Sequence, residues 1–269
     1  MTDKIRKFLE ERRPDTPCLV VDLDVVARNY TDLARVLPQA DIFYAVKANP
    51  AKEVLTTLLP LGAYFDTASI YEIETCLDIG ASPDRIAYGN TIKKARDIAR
   101  AFNHGIRLFA FDSRAELAKL KKNAPGASVF CRIFMDGAGA DWPLSRKFGC
   151  EPDLAIELLT QAAEDGLHPA GVSFHVGSQQ RNLAQWDVAI ERAAMVFSEL
   201  GARGIELELL NMGGGFPAKY RQDIEPVENY GEVIRASIVK HFGNKPPRII
   251  AEPGRSIAGD AGILQTEVV

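Results

Sequence analysis

The chain has 269 residues, of which 46% are hydrophobic and 25% charged, with a formal net charge of -4 at pH 7. This composition is that of a globular protein long enough for one α/β barrel or two small domains. The weak negative charge argues against the basic surface that nucleic-acid binding needs. No run of about 18 apolar residues occurs, and the N-terminus lacks the apolar core of a secretory signal. We therefore expect a cytoplasmic protein that binds neither nucleic acid nor membranes.

The cysteines and histidines do not form a recognisable metal motif. Four cysteines occur without CxxC spacing, and the four histidines are widely separated along the chain. This distribution argues against a disulfide framework and against a zinc site. We therefore expect no metal.

Short runs of β-branched and aromatic residues recur along the chain and predict eight strands. They lie at 41–47, 63–69, 85–90, 107–113, 128–134, 170–178, 206–215 and 247–254. Amphipathic segments between the runs predict helices, of which the clearest lie at 51–60, 70–79, 92–103, 114–123, 152–165, 182–201 and 226–241. Ser113, followed three residues later by Glu116, predicts one helix start through a capping box.

The alternation of strand and helix predicts a parallel sheet, and eight such units are typical of a closed (β/α)8 TIM barrel. Near-continuous apolar runs fit strands that are buried on both faces, as parallel strands are. An open doubly wound sheet is the alternative. No short turn near the N-terminus carries the GxGxxG fingerprint of the commonest nucleotide-binding version of that fold.

Polar residues and glycines follow several predicted strands, at the end where a barrel gathers its functional groups. They are Lys47, Asp66, Arg132, His175, Ser178, Gly213, Gly214, Gly215, Glu252 and Arg255. Taken singly, each has an ordinary reading as a surface residue, a rim residue or a tight turn. Because all of them fall at the same end of their strands, we interpret them as one site.

Part of this set predicts a phosphate position. The glycines at 213–215 offer backbone N–H groups with no Cβ in the way, and Arg255 adds a positive charge. Ser178 can donate another hydrogen bond. These groups follow strands six, seven and eight, and the loops after strands seven and eight are the usual phosphate position in such barrels.

The remaining groups predict that the ring of a bound cofactor lies between the phosphate position and a lysine amine. We expect Lys47, from strand one, to lie across the barrel from the strands that bind the phosphate. With a carboxylate from Glu252, this arrangement points to pyridoxal 5′-phosphate as the cofactor. Lys47 would bond to the aldehyde, Glu252 would keep the ring nitrogen protonated, and His175 would stack on the ring.

The order of the motifs adds a family resemblance that spans nearly the whole chain. The segments "FYAVKAN", "FDTASIYEIE", "SFHVGSQ", "NMGGGFP" and "AEPGRSI" closely resemble those of the fold-type III pyridoxal-phosphate enzymes. These are the ornithine, lysine, arginine and diaminopimelate decarboxylases, with the alanine racemases as distant relatives. The resemblance implies the roles given above, and implies that Asp66, Glu72 and Arg132 line the cofactor and support the lysine.

The implied reaction is decarboxylation of an α-amino acid, and a glutamate at the ring nitrogen favours it over racemisation. "SFHVGSQ", "GGGFP" and "YGNTIKKARDI" resemble the ornithine and lysine/ornithine branch. We therefore expect L-ornithine to be converted to putrescine, with L-lysine to cadaverine as a further activity, in polyamine biosynthesis. A diaminopimelate decarboxylase is the alternative. The segment 136–149 is either a mobile loop over the site or an ordinary surface loop.

The resemblance also implies a second, β-rich domain and a homodimer. On this interpretation residues 1–21 join the second domain, 22–261 form the barrel, and 262–269 begin the second domain. Family members supply substrate-contacting groups from that domain and across the dimer interface. We therefore expect this chain to be a fragment that binds the cofactor weakly or not at all and lacks useful turnover.

Two other classes compete with the decarboxylase. One is a catalytically silent relative that binds a regulatory protein, which loss of Lys47 or the glycines would favour, and both are present. The other is a small cofactor-carrier barrel without a second domain. The combination of "HVGSQ" and "EPGRS" is unusual for such carriers.

Overall fold

The computed structural model of the chain describes residues 1–142, 147–220 and 222–269. The strands are β1 Cys18–Val21, β2 Ala40–Ala45, β3 Tyr64–Thr67, β4 Ile86–Tyr88, β5 Leu108–Phe111, β6 Ser128–Arg132, β7 Ala140–Trp142, β8 His168–Ser173, β9 Ser178–Gln180, β10 Leu209–Asn211, β11 Arg248–Ala251 and β12 Gly262–Gln265. The α-helices are α1 Asp3–Arg12, α2 Leu23–Val36, α3 Lys52–Leu58, α4 Ile70–Asp78, α5 Ala95–Asn103, α6 Arg114–Asn123, α7 Pro152–Glu164, α8 Ala184–Ala202, α9 Val227–Phe242 and α10 Arg255–Ala258.

Eight of these strands close into a parallel barrel in the order β10-β11-β2-β3-β4-β5-β6-β8. The predicted (β/α)8 barrel is therefore confirmed, and the open sheet is excluded because β11 pairs with β2 through Ile249–Ala40, Ile250–Asp41 and Ala251–Ile42. This closure corrects one geometric expectation. The first barrel strand, β2, lies beside the last, β11, so Lys47 does not come from across the barrel.

The strands are buried on both faces, which explains their continuous apolar character. Seven strands contribute one buried side chain each to a cluster inside the barrel, which consists of two phenylalanines and five smaller aliphatic residues: Phe43, Ala87, Ala110, Phe130, Ala170, Leu209 and Ile250. The intervening residues, such as Tyr44 and Phe65, face the helices and join the larger core outside the barrel. A packed interior leaves the strand ends as the place for a site.

The outer ring differs from the prediction at one position. The seven predicted helices are present, but β11 is followed only by the four-residue α10. Helix α2, which precedes the first barrel strand, packs against α3, α9 and α10 and fills that place in the ring. The apolar spacing of Val25, Val26, Tyr30 and Leu33, all buried, could have predicted α2.

The capping box predicted at Ser113 is half present. The Ser113 hydroxyl accepts a hydrogen bond from the Glu116 N–H at 3.3 Å. The Glu116 carboxylate does not reach back to the helix start, because it binds the Lys93 ammonium at 2.9 Å and the Lys119 ammonium at 2.5 Å. The side chain of Lys93 is fully buried, so this ion pair lies inside the protein beside strands β4 and β5.

The two ends of the chain meet outside the barrel. Strand β1 pairs antiparallel with β12, and Leu19 lies opposite Leu264. Assignment of these segments to a second domain stays a prediction. In the described part of the chain, no helix is both long and apolar enough to cross a membrane.

The segment 136–149, predicted as either a lid or a surface loop, is described in part. Its strand β7 pairs antiparallel with β9, with Ala140 opposite Gln180 and Trp142 opposite Ser178. Residues 143–146 lie outside the described residues.

Replacement of Glu116 by glutamine (Glu116→Gln) is expected to lower the free energy of unfolding by about 3 kcal/mol, because Lys93 would keep a buried amine without its counter-charge. Chemical denaturation measures this change. The matched control is Glu157→Gln, because the pair of Glu157 with Arg114 is more than half exposed on both sides. That variant should lose less than about 1 kcal/mol, and equal losses in the two variants would contradict the prediction.

Candidate active site

A cavity of about 630 Å³ opens at the carboxyl ends of the barrel strands. Seven of the predicted site residues line it: Lys47, His175, Ser178, Gly214, Gly215, Glu252 and Arg255. Asp66, Arg132 and Gly213 lie behind these groups, and Glu72 lies in the first turn of α4. The barrel thus brings together residues that are more than 200 positions apart in the sequence.

Lys47 lies in a 3-10 turn, Val46–Ala48, that follows β2. The strand ends two residues earlier than predicted, and the Tyr44 hydroxyl holds the turn by donating to the Asn49 carbonyl oxygen at 3.1 Å. The Lys47 ammonium donates to Asp66 Oδ2 at 2.9 Å, and its side chain lines the cavity below the protein surface. Burial of the ammonium works against its charge, but Asp66 and Glu252 outweigh this effect and raise the pKa of Lys47.

Asp66 is buried at the end of β3 because Gly89 leaves room for its carboxylate. A Cβ at residue 89 would lie 1.9 Å from Asp66 Oδ1, which is far inside contact distance. The carboxylate therefore occupies the space that a side chain at residue 89 would take. Gly89 was not predicted as a site residue, and only its place after β4 could have suggested it.

Glu252 directly follows β11, and a neighbouring amide holds its carboxylate. Asn211 Nδ2 donates to Glu252 Oε1 at 2.6 Å, while Asn211 Oδ1 accepts from the Gly213 N–H at 2.9 Å. Burial and the nearby Asp66 carboxylate raise the pKa of Glu252 to about 7, against the opposing effects of Lys47 and Asn211. This carboxyl group therefore keeps its proton to a higher pH than an exposed glutamate does.

His175 follows β8 and is held by its own loop. Its Nδ1 accepts a hydrogen bond from the Gly177 N–H at 3.0 Å, so the proton of the neutral ring belongs on Nε2. Burial, together with the positive charges of Arg132 and Lys47, lowers the pKa of His175 well below its usual value. The ring is therefore uncharged at neutral pH.

Arg132 and Glu72 support the site from behind. The Arg132 guanidinium lies 5.1 Å from the Phe148 ring centroid. Burial lowers the pKa of Arg132, although Glu252 and other carboxylates favour its charge. Glu72 Oε2 accepts from the Ala68 N–H at 2.6 Å, so this carboxylate closes the start of α4 and does not bond to the lysine.

The glycine segment after β10 provides free N–H donors. Gly213 and Gly215 have φ values of +62° and +114°, which favour glycine. A Cβ on Gly214 would lie 2.6 Å from the Glu252 carbonyl oxygen. Among the described residues, the N–H groups of Gly214, Gly215 and Phe216 have no hydrogen-bond acceptor. Buried donors of this kind, beside Ser178 and Arg255, fit an anion such as a phosphate.

The structure also corrects the placement of Ser178 and adds residues to the site. The sixth barrel strand ends at Ser173, so Ser178 begins the separate strand β9. Trp142, which is 66% exposed, and Tyr220 line the cavity but were not predicted. Asn211 was missed although it stands in the "NMGGG" motif, where a polar residue inside a buried strand was the available signal.

The residues present fit a cofactor that carries a phosphate, an aldehyde and a ring nitrogen. Free N–H donors lie at one part of the cavity, and an amine paired with a carboxylate lies at another. A carboxyl group with a pKa of about 7 lies on the same wall as a neutral histidine ring. In the described part of the chain, no group of three or more metal-binding side chains is present.

Comparison with known proteins shows the family of the chain. A family model described as "Pyridoxal-dependent decarboxylase, pyridoxal binding domain" matches residues 23–259. A lysine/ornithine decarboxylase of Selenomonas ruminantium is 37% identical over 100% of this chain and 68% of its own length. An ornithine decarboxylase of Caenorhabditis elegans is 34% identical over 98% of this chain and 62% of its length.

Two further matches bear on function. Antizyme inhibitor 2 of Xenopus laevis is 36% identical over 93% of this chain and 55% of its own length. A crystal structure of a double mutant of SrLDC in complex with PLP superposes with a TM-score of 0.91 at 37% identity, and covers 97% of this chain and 68% of that one. The chain therefore spans between about half and two thirds of the length of the proteins it matches.

Gly89→Ala is expected to lower the free energy of unfolding by about 2–3 kcal/mol, because the new methyl group overlaps the buried Asp66 carboxylate. Urea denaturation measures this loss. The matched control is Gly201→Ala in α8, where a Cβ meets nothing within 4 Å. That control should be neutral or more stable by about 0.5–1 kcal/mol. A neutral Gly89→Ala variant would show that the carboxylate does not need this space.

Stability should fall between pH 4.5 and 7 because of Glu252. In this window the folded protein holds a proton on Glu252, whose pKa is raised from 4.5 to about 7, while the unfolded chain has released it. Relative to Glu252→Gln, the free energy of unfolding should decrease on the order of 2 kcal/mol more across the window. Above about pH 8 the two curves should run parallel, because Glu252 is then ionised in both the folded and the unfolded protein. Denaturation at a series of pH values measures both, and identical slopes below pH 7 would refute the shift.

Proposed function

Since the chain belongs to the pyridoxal-dependent decarboxylases, whose pyridoxal-binding domain matches residues 23–259, we propose that it binds pyridoxal 5′-phosphate in the barrel cavity and serves decarboxylation of a basic amino acid. The observation that carries this proposal is the Lys47–Asp66 pair, which faces the same cavity as the free N–H groups of the glycine segment. When bound, the cofactor supplies an aldehyde for an amine and a ring that accepts electrons from the substrate.

Lys47 is the amine for the aldehyde. Asp66 holds the Lys47 ammonium at 2.9 Å and keeps it protonated, which orients the amine before reaction. Only the uncharged amine is a nucleophile, so Lys47 must first release a proton.

Glu252 is also the group for the ring nitrogen. Asn211 donates to its Oε1, so Oε2 is the oxygen that would exchange a proton with a bound ring. His175 offers a neutral ring face, because its Nδ1 is occupied by Gly177 and its pKa is low. A neutral histidine ring can stack on a cofactor ring without adding a positive charge beside the ring nitrogen that Glu252 would keep protonated.

The phosphate would lie against the N–H groups of Gly214, Gly215 and Phe216. Ser178 adds a hydroxyl group, and Arg255, which is exposed at the cavity wall, adds a positive charge. These donors are preorganised by the backbone, so little order has to be gained when an anion binds.

We propose L-ornithine as the substrate and putrescine as the product, with L-lysine as a second substrate. The names of the matched relatives, lysine/ornithine decarboxylase and ornithine decarboxylase, support this choice over diaminopimelate. A homodimer and a cytoplasmic location are part of the proposal.

A non-catalytic binding role is the second candidate, because one matched relative is named antizyme inhibitor 2. The two candidates differ in whether Lys47 reacts. A protein that only binds a partner has no need of a lysine paired with a buried carboxylate at a cavity wall.

Incubation with pyridoxal 5′-phosphate is expected to give a visible absorption band, and borohydride reduction should fix the pyridoxyl group on Lys47. Both should be lost in Lys47→Ala, because the amine is removed. Absorption spectroscopy and peptide mass spectrometry measure this, and reduction traps weak attachment as well.

The matched control is Lys52→Ala, since Lys52 lies five residues away at the surface and pairs with Asp78 at 3.4 Å. It should leave the band and the attachment site unchanged. Attachment at another lysine, or none in the unmodified protein, would overturn the proposal. Release of carbon dioxide from ornithine, lysine and diaminopimelate then compares the substrates.

A further inference from the structure

We infer that Gln179 is a positioning residue of the phosphate site, and that its side chain holds the glycine segment in the shape that presents free N–H groups to the cavity. This inference rests on the proposed function, since it concerns how the cofactor's phosphate is recognised. The segment in question, here called the glycine loop, is residues 213–218.

The glycine loop has no helix or strand to define its shape, so its hydrogen bonds come from outside. At its start, the Gly213 N–H donates to the Asn211 side chain at 2.9 Å. In the middle, the Gly215 carbonyl oxygen accepts from the Gln180 N–H at 2.9 Å. At its end, both backbone groups of Ala218 bond to one side chain, that of Gln179.

The bonds from Gln179 form a two-point clamp. Gln179 Oε1 accepts from the Ala218 N–H at 2.6 Å, and Gln179 Nε2 donates to the Ala218 carbonyl oxygen at 3.0 Å. The side-chain amide thus bonds to both the N–H and the carbonyl oxygen of one residue, as the backbone of a paired strand would. Both residues are buried, so water does not compete for these bonds.

Gln179 makes this clamp from a strained backbone conformation. Its φ is +56°, and the only other non-glycine residue with positive φ in the described chain is Arg13, at an exposed helix end. A glycine would adopt this conformation without strain. Strain at a buried position persists where surrounding contacts require that residue, and it often marks a functional site.

The position of Gln179 connects the two sides of the phosphate site. Its neighbour in sequence, Ser178, lines the cavity from one side, and the glycine loop lines it from the other. The clamp therefore sets how far the Ser178 hydroxyl lies from the free N–H groups of Gly214, Gly215 and Phe216. Without the clamp the bonds at Gly213 and Gly215 would remain, but the loop would lose the anchor at its Ala218 end, and the spacing of these donors would be held less firmly.

The backbone around Gln179 is anchored independently, so that its side chain can be tested alone. Gln180 Nε2 donates to the carbonyl oxygens of Val176 and Ala138 at 2.7 and 3.0 Å. The Tyr230 hydroxyl donates to the Gln180 carbonyl oxygen at 3.1 Å. Loss of the Gln179 side chain should therefore loosen the glycine loop while the strand β9 stays in place.

The test compares two ligands that differ only in the phosphate, pyridoxal 5′-phosphate and pyridoxal. Dissociation constants are measured by absorption titration on the unmodified protein and on Gln179→Gly, which relieves the backbone strain and removes both bonds. The expected result is about a tenfold weaker binding of the phosphorylated ligand, with pyridoxal binding unchanged. The dissociation constant of inorganic phosphate, measured by its competition with the phosphorylated ligand, should also rise in the variant.

Two further variants make the result specific. Arg13→Gly relieves the same kind of strain far from the cavity and should change neither dissociation constant. Gln179→Met keeps the length of the side chain without its polar atoms, and should lose the phosphate preference as Gln179→Gly does. Circular dichroism checks that each variant folds. If Gln179→Gly does not fold, Gln179→Met tests the loss of the two bonds in its place.

The outcomes separate this inference from the proposed function. If the unmodified protein prefers the phosphorylated ligand and both Gln179 variants keep that preference, the clamp is structural only and the inference is wrong. Equal weakening of both ligands in the variants leads to the same conclusion. If the unmodified protein binds neither ligand at Lys47, the proposed function is overturned and the inference with it.

Discussion

The site depends on a balance of opposite charges in one partly buried cavity. Lys47 and Arg132 are cations, Asp66 and Glu252 are acids, and His175 lies among them as a neutral ring. The carboxylates keep Lys47 charged against its burial, and burial together with Asp66 raises the pKa of Glu252. A buried charge is costly unless it is paired, so removal of one member leaves its partners without the charges that offset their burial.

The barrel brings these charged groups together because its first strand, β2, pairs with its last strand, β11. Lys47 follows the first strand and Glu252 follows the last, and the pairing of β2 with β11 makes them neighbours across more than 200 residues of sequence. A bond from the Ala45 N–H to the Pro253 carbonyl oxygen, at 2.9 Å, continues this contact above the sheet. Closure of the barrel is therefore a condition for the charge balance as well as for the core.

Amide side chains and glycines then set the details. Asn211 orients Glu252 and begins the glycine loop, while Gln179 bonds to the end of that loop. Gly89 leaves the space that Asp66 fills. None of these residues carries a charge, and their contribution is to hold reactive groups and donors at set distances. Reactive groups lie at the strand ends, and neutral residues behind them fix their positions, as in preorganised sites in general.

The sequence by itself determined the eight strands, the barrel and seven of the residues that line the cavity, because hydrophobic period, apolar runs and strand ends are local properties of the chain. It also carried the family resemblance that the comparisons support. Helix α2 was overlooked although its apolar spacing was readable. Tertiary structure alone decided that strand one lies beside strand eight, that Ser178 belongs to β9, and that Glu72 closes a helix start. It also decided the pKa values of Lys47, Glu252 and His175 and the roles of Asn211, Gly89 and Gln179, because these depend on contacts between residues that are distant in sequence.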